Sequence, residues 1–415
     1  MLPHLESDMP GPLQNIRVLD LTRVLAGPWA TQILADFGAE VIKVEKPGEG
    51  DDTRGWGPPF LTNPDGSRGD AAYYLSANRG KQSVAIDMAK PEGQRLLHKL
   101  AKQSDVVMEN FKVGGLKKYG LDYESLKAIN PRLIYCSITG FGQTGPYAQR
   151  AGYDFMIQGM GGIMSITGQP DGTPGAEPVK TGVAFADVFT GLYATIGVLA
   201  ALYHRESSGE GQYLDLALLD TQVAVLANQA LNFLVGGTAP KRLGNAHPNI
   251  VPYQTFATSD GFIIIAVGND RQFREYTKIA GVPELADDPR FLNNRARVEN
   301  REALIPLLAE PMTRRTTAEW TQALEAAAVP CGPINKIDQV FADPQVQARG
   351  LNVSLTRDDG TKTPGVANPV RFSGTPVAYS KAPPALGNAT EDVLRTILGL
   401  SPEEIAKLRD SASIG

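Results

Sequence analysis

Cysteine is nearly absent from this chain of 415 residues, where Cys136 and Cys331 stand alone and far apart. Disulfide frameworks and cysteine-built zinc sites need paired spacings, so neither is indicated and a reducing compartment fits best. Dense basic runs are lacking too. The formal net charge is −5 and the 40 Lys and Arg residues are scattered, which argues against a protein that tracks a nucleic-acid backbone and leaves a small molecule as the expected partner. No uncharged apolar run reaches the roughly 18 residues of a membrane-spanning helix. The start, Met1 to Gln14, has neither a basic n-region nor an apolar h-region. The expectation is therefore a soluble, unprocessed, cytoplasmic protein. No internal repeat or low-complexity tract stands out. With 42% hydrophobic and 20% charged residues, the chain is long enough to bury the cores of two domains.

What is present is alternation. Ile16–Leu21 is a short β-rich run, and the stretch from Ala26 to Gly38 carries apolar residues at helical spacing, with Pro28 just inside the start and Gly38 at the end. Ala39–Glu45 then returns as a strand, which completes a βαβ unit. The same alternation continues through Gln82–Asp87, Pro91–Gln103, Asp105–Glu109, Tyr123–Ala128 and Arg132–Ile138. A parallel sheet with helices on its faces follows. Long helices are expected from about Val188 to His204 and from about Ala217 to Leu234. Strands at Pro252–Phe256 and Gly261–Val267 then open a smaller domain, with helices over Asp270–Ala280 and through 300–328. The expected fold is α/β: a large doubly wound, Rossmann-like domain beginning in 1–222, a linker and smaller α+β domain in 223–330, and a segment 331–415 that returns to the large domain.

Two local features invite functional readings. Asp187 stands in Thr181-Gly-Val-Ala-Phe-Ala-Asp-Val-Phe-Thr-Gly191, a small apolar run. An ionised carboxylate is costly there unless it is paired or used. Two uses are open and compatible, an N-cap on the helix that follows and a nucleophile held at a helix start. Gly140-Phe-Gly-Gln-Thr-Gly145 matches the dinucleotide pattern G-x-G-x-x-G, but Pro146 follows at once and no helix of the required pattern opens there. A tight turn fits better than a nicotinamide or flavin site.

Several longer motifs carry a resemblance over nearly the whole chain. Val18–Pro28, Gly38–Glu45, Asp51–Trp56, Glu109–Phe111 and the Asp187 segment resemble the family III CoA-transferases, which include formyl-CoA and carnitine CoA-transferases and the related α-methylacyl-CoA racemases. Within that family, the runs 50–60, Tyr135–Pro146, Asn245–Gln254 and Val329–Asn335 are similar to the branch that moves CoA from succinyl-CoA to dicarboxylates such as glutarate and 3-hydroxymethylglutarate.

The resemblance implies that Asp187 attacks an acyl-CoA thioester and carries the acyl group as a mixed anhydride, then CoA as a thioester. It implies CoA as a substrate with no permanently bound cofactor, and a homodimer of chains linked like rings; no metal is expected because the sequence holds no ligand cluster. CoA would lie against residues matching Val24, Leu25, Lys46, Asn110, Phe111 and Lys118. Each of these taken alone reads as an ordinary surface lysine or core residue. Racemisation requires an acid/base pair flanking a carbon, and the racemases place a His where this chain has Tyr153; none of His4, His98, His204 and His247 falls there. Tyr153 reads as a hydrogen-bond donor beside the reacting carbonyl, or as a half-buried aromatic. Other acceptors, among them itaconate, oxalate and carnitine, remain open alternatives. For the far carboxylate of a dicarboxylate, the candidates are Arg54 beside Trp56, then Arg242 and His247, any of which could equally be structural. Gly268 and Asn269 match by position a glycine-rich loop that closes over the site in formyl-CoA transferase, although only one Gly remains, and a plain strand-to-helix connection with an Asn269 cap is the other reading.

Overall fold

The computed structural model describes residues 11–415, so His4 and most of the segment read above for a leader lie outside the described residues. Contacts group the chain into two compact units. The first holds the described residues up to Gly162, together with Thr181–Ala230 and Gln345–Gly415, and the second holds Ile163–Lys180 and Leu231–Pro344. The expected divisions at 222 and 330 thus differ from the observed cuts. Residues 163–180, read above as part of the first domain, group with the second unit.

In the first unit the elements are β1 (Arg17–Asp20), α1 (Ala26–Asp36), β2 (Glu40–Glu45), β3 (Lys81–Ala85), α2 (Pro91–Lys102), β4 (Val106–Glu109), α3 (Tyr123–Ile129), β5 (Ile134–Thr139), α4 (Asp154–Met160), α5 (Phe185–Ser208), β6 (Tyr213–Ala217) and α6 (Leu218–Ala224). The six strands form one sheet in the order β3-β2-β1-β4-β5-β6, all parallel. The order reverses between β1 and β4, where Val18 pairs with Val106 and Leu19 with Val107. Successive residues of each strand feed opposite faces because side chains alternate with period two. Leu19 and Ile42 enter a core closed by α2 and α3, while Val18 and Val41 enter another closed by α1 and α5.

β6 corrects the sequence reading, which began a helix near Ala217 and ran it unbroken to Leu234. Tyr213–Ala217 instead pairs with Tyr135–Thr139 as the sixth strand, and the helical stretch beyond is broken into Leu218–Ala224 and Ala227–Gly236, with Ala227 at φ +47°. Helix α5 is long and apolar enough to cross a membrane by length and composition. Here, Ala186, Ala194, Val198 and Ala201 of that helix are buried in the second core.

The C-terminal stretch adds a hairpin, Asn352–Thr356 with Lys362–Val366, and two helices, Thr390–Thr396 and Pro402–Asp410, whose Val393, Leu394 and Ile405 complete the first core. The second unit has an antiparallel sheet of three strands, Tyr253–Ala257, Phe262–Ala266 and Cys331–Pro333. Helices Asp270–Ala280, Arg301–Met312 and Thr317–Ala326 surround its own core of Phe256, Ile263, Phe273, Leu304 and Trp320.

Candidate active site

In an open parallel sheet, a crevice forms outside the carboxyl ends of the strands where the order reverses, because the flanking connections leave to opposite faces. Here that point lies beyond β1 and β4. Thr22–Leu25 continues β1 and Asn110–Phe111 continues β4. The two segments are locked together by a reciprocal pair of bonds, from Arg23 N to Asn110 Oδ1 at 2.9 Å and from Asn110 Nδ2 to Arg23 O at 2.7 Å. Val24 is held at φ +71°, an uncommon conformation for a β-branched residue. Its N–H points to both oxygens of buried Asp51 at 3.3 Å. Asp51 in turn pairs at 2.9 Å with fully buried Lys43, which keeps the Asp51 carboxyl down at about 2 against the opposing effect of burial.

The crevice is a cavity of about 470 Å³ lined by Val24, Leu25, Asn110, Phe111, Lys118, Tyr153 and Asp187, among others. A second cavity of about 480 Å³ contains Lys46 and shares Arg23, Met88, Phe111 and Tyr119 with the first. The nucleophile candidate, Tyr153 and the whole set expected against CoA therefore line two adjoining cavities. Arg23 lies over the Phe111 ring at 5.3 Å and Lys118 over Tyr119 at 4.7 Å, so cationic and aromatic surfaces alternate along the groove. Lys46 is exposed and pairs with Glu49.

A glycine contact closes the far wall. A Cβ on Gly152 would stand 2.5 Å from the Gly140 Cα, and the reverse holds equally. Only a Gly pair lets the segment before α4 pack against the end of β5. Gly142 and Gly145, at φ +83° and +87°, make the tight turn expected of the G-x-G-x-x-G run. From this wall Tyr153 is 70% exposed, and Asp154 reaches the start of α5.

Asp187 is not the N-cap of that helix. It lies in the first turn behind Ala184, whose side chain makes no cap. Asp154 supplies the cap instead: its Oδ1 accepts from Ala186 N at 2.8 Å and from Asp187 N at 3.3 Å, and Gln158 Nε2 donates to its Oδ2 at 2.7 Å. Burial, and then the neighbouring Asp154 carboxylate, push the Asp187 carboxyl up to about 7. Tyr73, met edge-on by half-exposed Trp56 at 5.4 Å, lies within the field of both aspartates; burial and then Asp187 raise its phenol to about 12. Sequence reasoning missed both Asp154 and Tyr73. Asp154 carried a local signal, an acidic residue at a helix start, but its partner helix begins some thirty residues further on.

The expected carboxylate clamp needs correction. Arg54 is buried, its Nε and Nη2 bound to both oxygens of Glu45 at 2.8 and 2.6 Å, its Nη1 bound to Asp70 at 2.9 Å, and its guanidinium 3.8 Å over the Tyr74 ring. With its donors so occupied, Arg54 is a tie beneath the site and does not present a free fork. The remaining candidates belong to the second unit. There Arg242 pairs with Asp171 and donates to Gln169 O. His247 Nδ1 accepts from Asn249 N at 3.0 Å, and burial with nearby Arg301 holds the imidazole below its usual range. Asn269 caps Asp270–Ala280 through Gln272 N at 2.9 Å, while Gly268 N donates to the Gln272 side chain at 2.8 Å. Those bonds define a capped strand-to-helix connection. Among the described residues, no group of three or more His, Cys, Asp or Glu is disposed to hold a metal ion.

A doubly wound sheet with a groove of alternating cationic and aromatic residues at its switch point, and a carboxylate of raised proton affinity in that groove, marks the class of α/β proteins that bind a ligand at the switch point. The sequence profile described as CoA-transferase family III matches residues 13–390, and the chain belongs to that family. It is 56% identical over 391 residues to a succinate–glutarate CoA-transferase of Agrobacterium fabrum, covering 94% of this chain and 97% of that protein. Against the human succinyl-CoA:glutarate CoA-transferase it is 44% identical over 407 residues, covering 97% and 90%. Among solved structures, a CAIB/BAIF family protein from Brucella suis superposes with a TM-score of 0.83 at 53% identity, covering 94% of this chain and all of that one.

Proposed function

We propose that this CoA-transferase moves CoA from succinyl-CoA to a C5-type dicarboxylate such as glutarate through covalent intermediates on Asp187. The observation that carries the reading is the position of Asp187 in the cleft shared with the residues expected to meet CoA. The acceptor class rests on the names of the similar proteins from Agrobacterium fabrum and human. The steps balance without an external proton. An Asp187 oxygen attacks the succinyl thioester carbon, the C–S bond breaks, and CoA thiolate leaves a succinyl–aspartyl anhydride. The thiolate then attacks the aspartyl carbon, releasing succinate and leaving CoA as a thioester on Asp187. Glutarate attacks that thioester to form a second anhydride and free the thiolate. Attack of the thiolate on the glutaryl carbon yields glutaryl-CoA and regenerates the Asp187 carboxylate. Covalent catalysis of this kind divides one difficult exchange into steps of matched energy.

Tyr153 and Tyr73 supply O–H donors near the developing oxyanions. An acid/base racemase reading finds less support, since the position expected to hold a His is occupied by exposed Tyr153. Homodimerisation belongs to the same proposal. It is supported by apolar side chains left open on α4 and α5, among them Phe155 at 58%, Ile196 at 60% and Tyr203 at 85% exposed, more than singly scattered surface residues account for. The test of the reaction is a panel of CoA esters against C2 to C6 acids, read by mass spectrometry of the esters formed. Glutaryl-CoA made from succinyl-CoA by the parent, and lost in Asp187→Ala, is the expected result. Preference for oxalate, itaconate or carnitine over every C4 to C6 dicarboxylate would overturn the acceptor, and turnover retained by Asp187→Ala would overturn the mechanism.

A further inference from the structure

We infer that Asp154 is a positioning residue that poises Asp187, holding the first turn of α5 while standing as a like charge beside the nucleophile. The inference rests on the proposal that Asp187 is the nucleophile. Three donors converge on the Asp154 carboxylate: Ala186 N at 2.8 Å, Asp187 N at 3.3 Å and Gln158 Nε2 at 2.7 Å. The orientation of Gln158 is itself fixed, because its Oε1 accepts from Thr181 N at 2.9 Å and so its amide nitrogen must point at Asp154. A site met only by donors calls for a group that only accepts, and an ionised carboxylate is that group. A short Ser or Asn could cap a helix equally well. The donor set at this position therefore selects charge as well as a cap.

The charge acts on Asp187. The backbone N–H of the nucleophile is one of the donors, and burial and Asp154 are the two influences that raise the affinity of Asp187 for its proton. Tyr153, at the start of α4, lines the cleft with Asp187, and Tyr73, from the short helix Ala72–Leu75, feels both carboxylates. Helices α1 and α6 contribute Ala26 and Leu218 to the lining. Of the cations lining the cleft, Arg23 lies over Phe111, Lys118 over Tyr119 and Arg150 over Tyr147, while exposed Lys112 is a fourth. Asp154 thus opposes ionisation of Asp187 in the free protein. A carboxylate made more basic by its neighbour is the stronger nucleophile in its ionised form.

The test separates this role from plain capping. Asp154→Asn and Asp154→Ser each remove the charge while keeping an oxygen acceptor at the cap, so at least one is expected to fold, as judged by thermal melting beside the parent. The Asp187 carboxyl is then titrated by carbon-13 NMR of aspartate-labelled protein, assigned by its loss in Asp187→Asn. The acid limb of kcat/KM for succinyl-CoA is followed in parallel. The expected result is a midpoint for Asp187 near 7 in the parent that falls by on the order of one pH unit in both variants, with the kinetic limb moving likewise. An unchanged or raised midpoint, whatever the loss of kcat or thermal stability, overturns the inference and leaves Asp154 a cap only. Because the titration needs no turnover, it decides this point even if the parent makes no glutaryl-CoA, in which case the proposed reaction fails separately.

Discussion

Asp187 and Arg54 show how environment assigns roles that residue type leaves open. Asp187 holds its proton up to about 7 in the folded protein, against 3.8 for an unperturbed aspartate. Between those values the unfolded chain has already released the proton that the native state keeps, so stability falls as pH rises through this window and levels off above about 7. Asp187→Asn removes the penalty. It is expected to be more stable than the parent at pH 8, by up to about 4 kcal/mol, with the difference vanishing near pH 4, as differential scanning calorimetry would read. The same titration requires kcat/KM of the parent to fall below about pH 7, where the nucleophile is protonated. Arg54 gives the opposite lesson. Arg54→Met leaves buried Glu45 without its bidentate cation, although half-buried Asp70 keeps Arg357 at 2.6 Å, and should cost about 3 kcal/mol in denaturant unfolding. It should leave the ratio of glutarate to butyrate turnover near that of the parent. A collapse of that ratio without loss of stability would restore Arg54 as a substrate clamp.

At the scale of elements, what was legible in the sequence was what local periodicity encodes. The β1-α1-β2 unit and the Asp270–Ala280 helix have apolar spacings and stop residues within a few positions of one another, and the latter also an Asn269 cap. Tyr213–Ala217 was not legible as a strand, because five residues beside a long apolar helix carry too little pattern and its pairing with Tyr135–Thr139 is remote. Likewise, Arg54 next to Trp56 looked like an open fork, since Glu45, Asp70 and the carbonyl of Pro384 that occupy it come from three separate segments. The groove residues were identified through motif resemblance and not by chemistry read from local sequence. The Gly140–Gly152 contact is an element-scale device of the same remote kind, and it can be tested. Gly152→Ala must push β5 and the segment before α4 apart, at a cost of about 1–3 kcal/mol, with a larger loss of kcat because Tyr153 and Asp154 move with that segment. Gly182→Ala, five residues from Asp187, meets nothing within 4 Å and should change neither. Equal behaviour of the two variants in melting and turnover would refute this account of the wall.

For the whole molecule, the chain enters the second unit twice, at Ile163–Lys180 and at Leu231–Pro344, and returns at Gln345 to finish the first core with Val393, Leu394 and Ile405. The large unit therefore closes only when both ends of the chain are in place. Apolar side chains open on α4 and α5 predict that analytical ultracentrifugation finds a dimer, and that Ile196→Glu with Tyr203→Glu weakens it; a monomeric parent at micromolar concentration would contradict that. The central claim concerns the intact enzyme as a carrier, and the most direct measurement is the mass of the protein itself. Succinyl-CoA is mixed with the parent without acceptor, the reaction is quenched in acid, and the intact protein and its peptides are weighed. The account predicts a population heavier by one CoA less a water, with the change confined to the peptide bearing Asp187 and absent in Asp187→Ala. Unmodified Asp187 in enzyme that is still exchanging CoA between acids would contradict it.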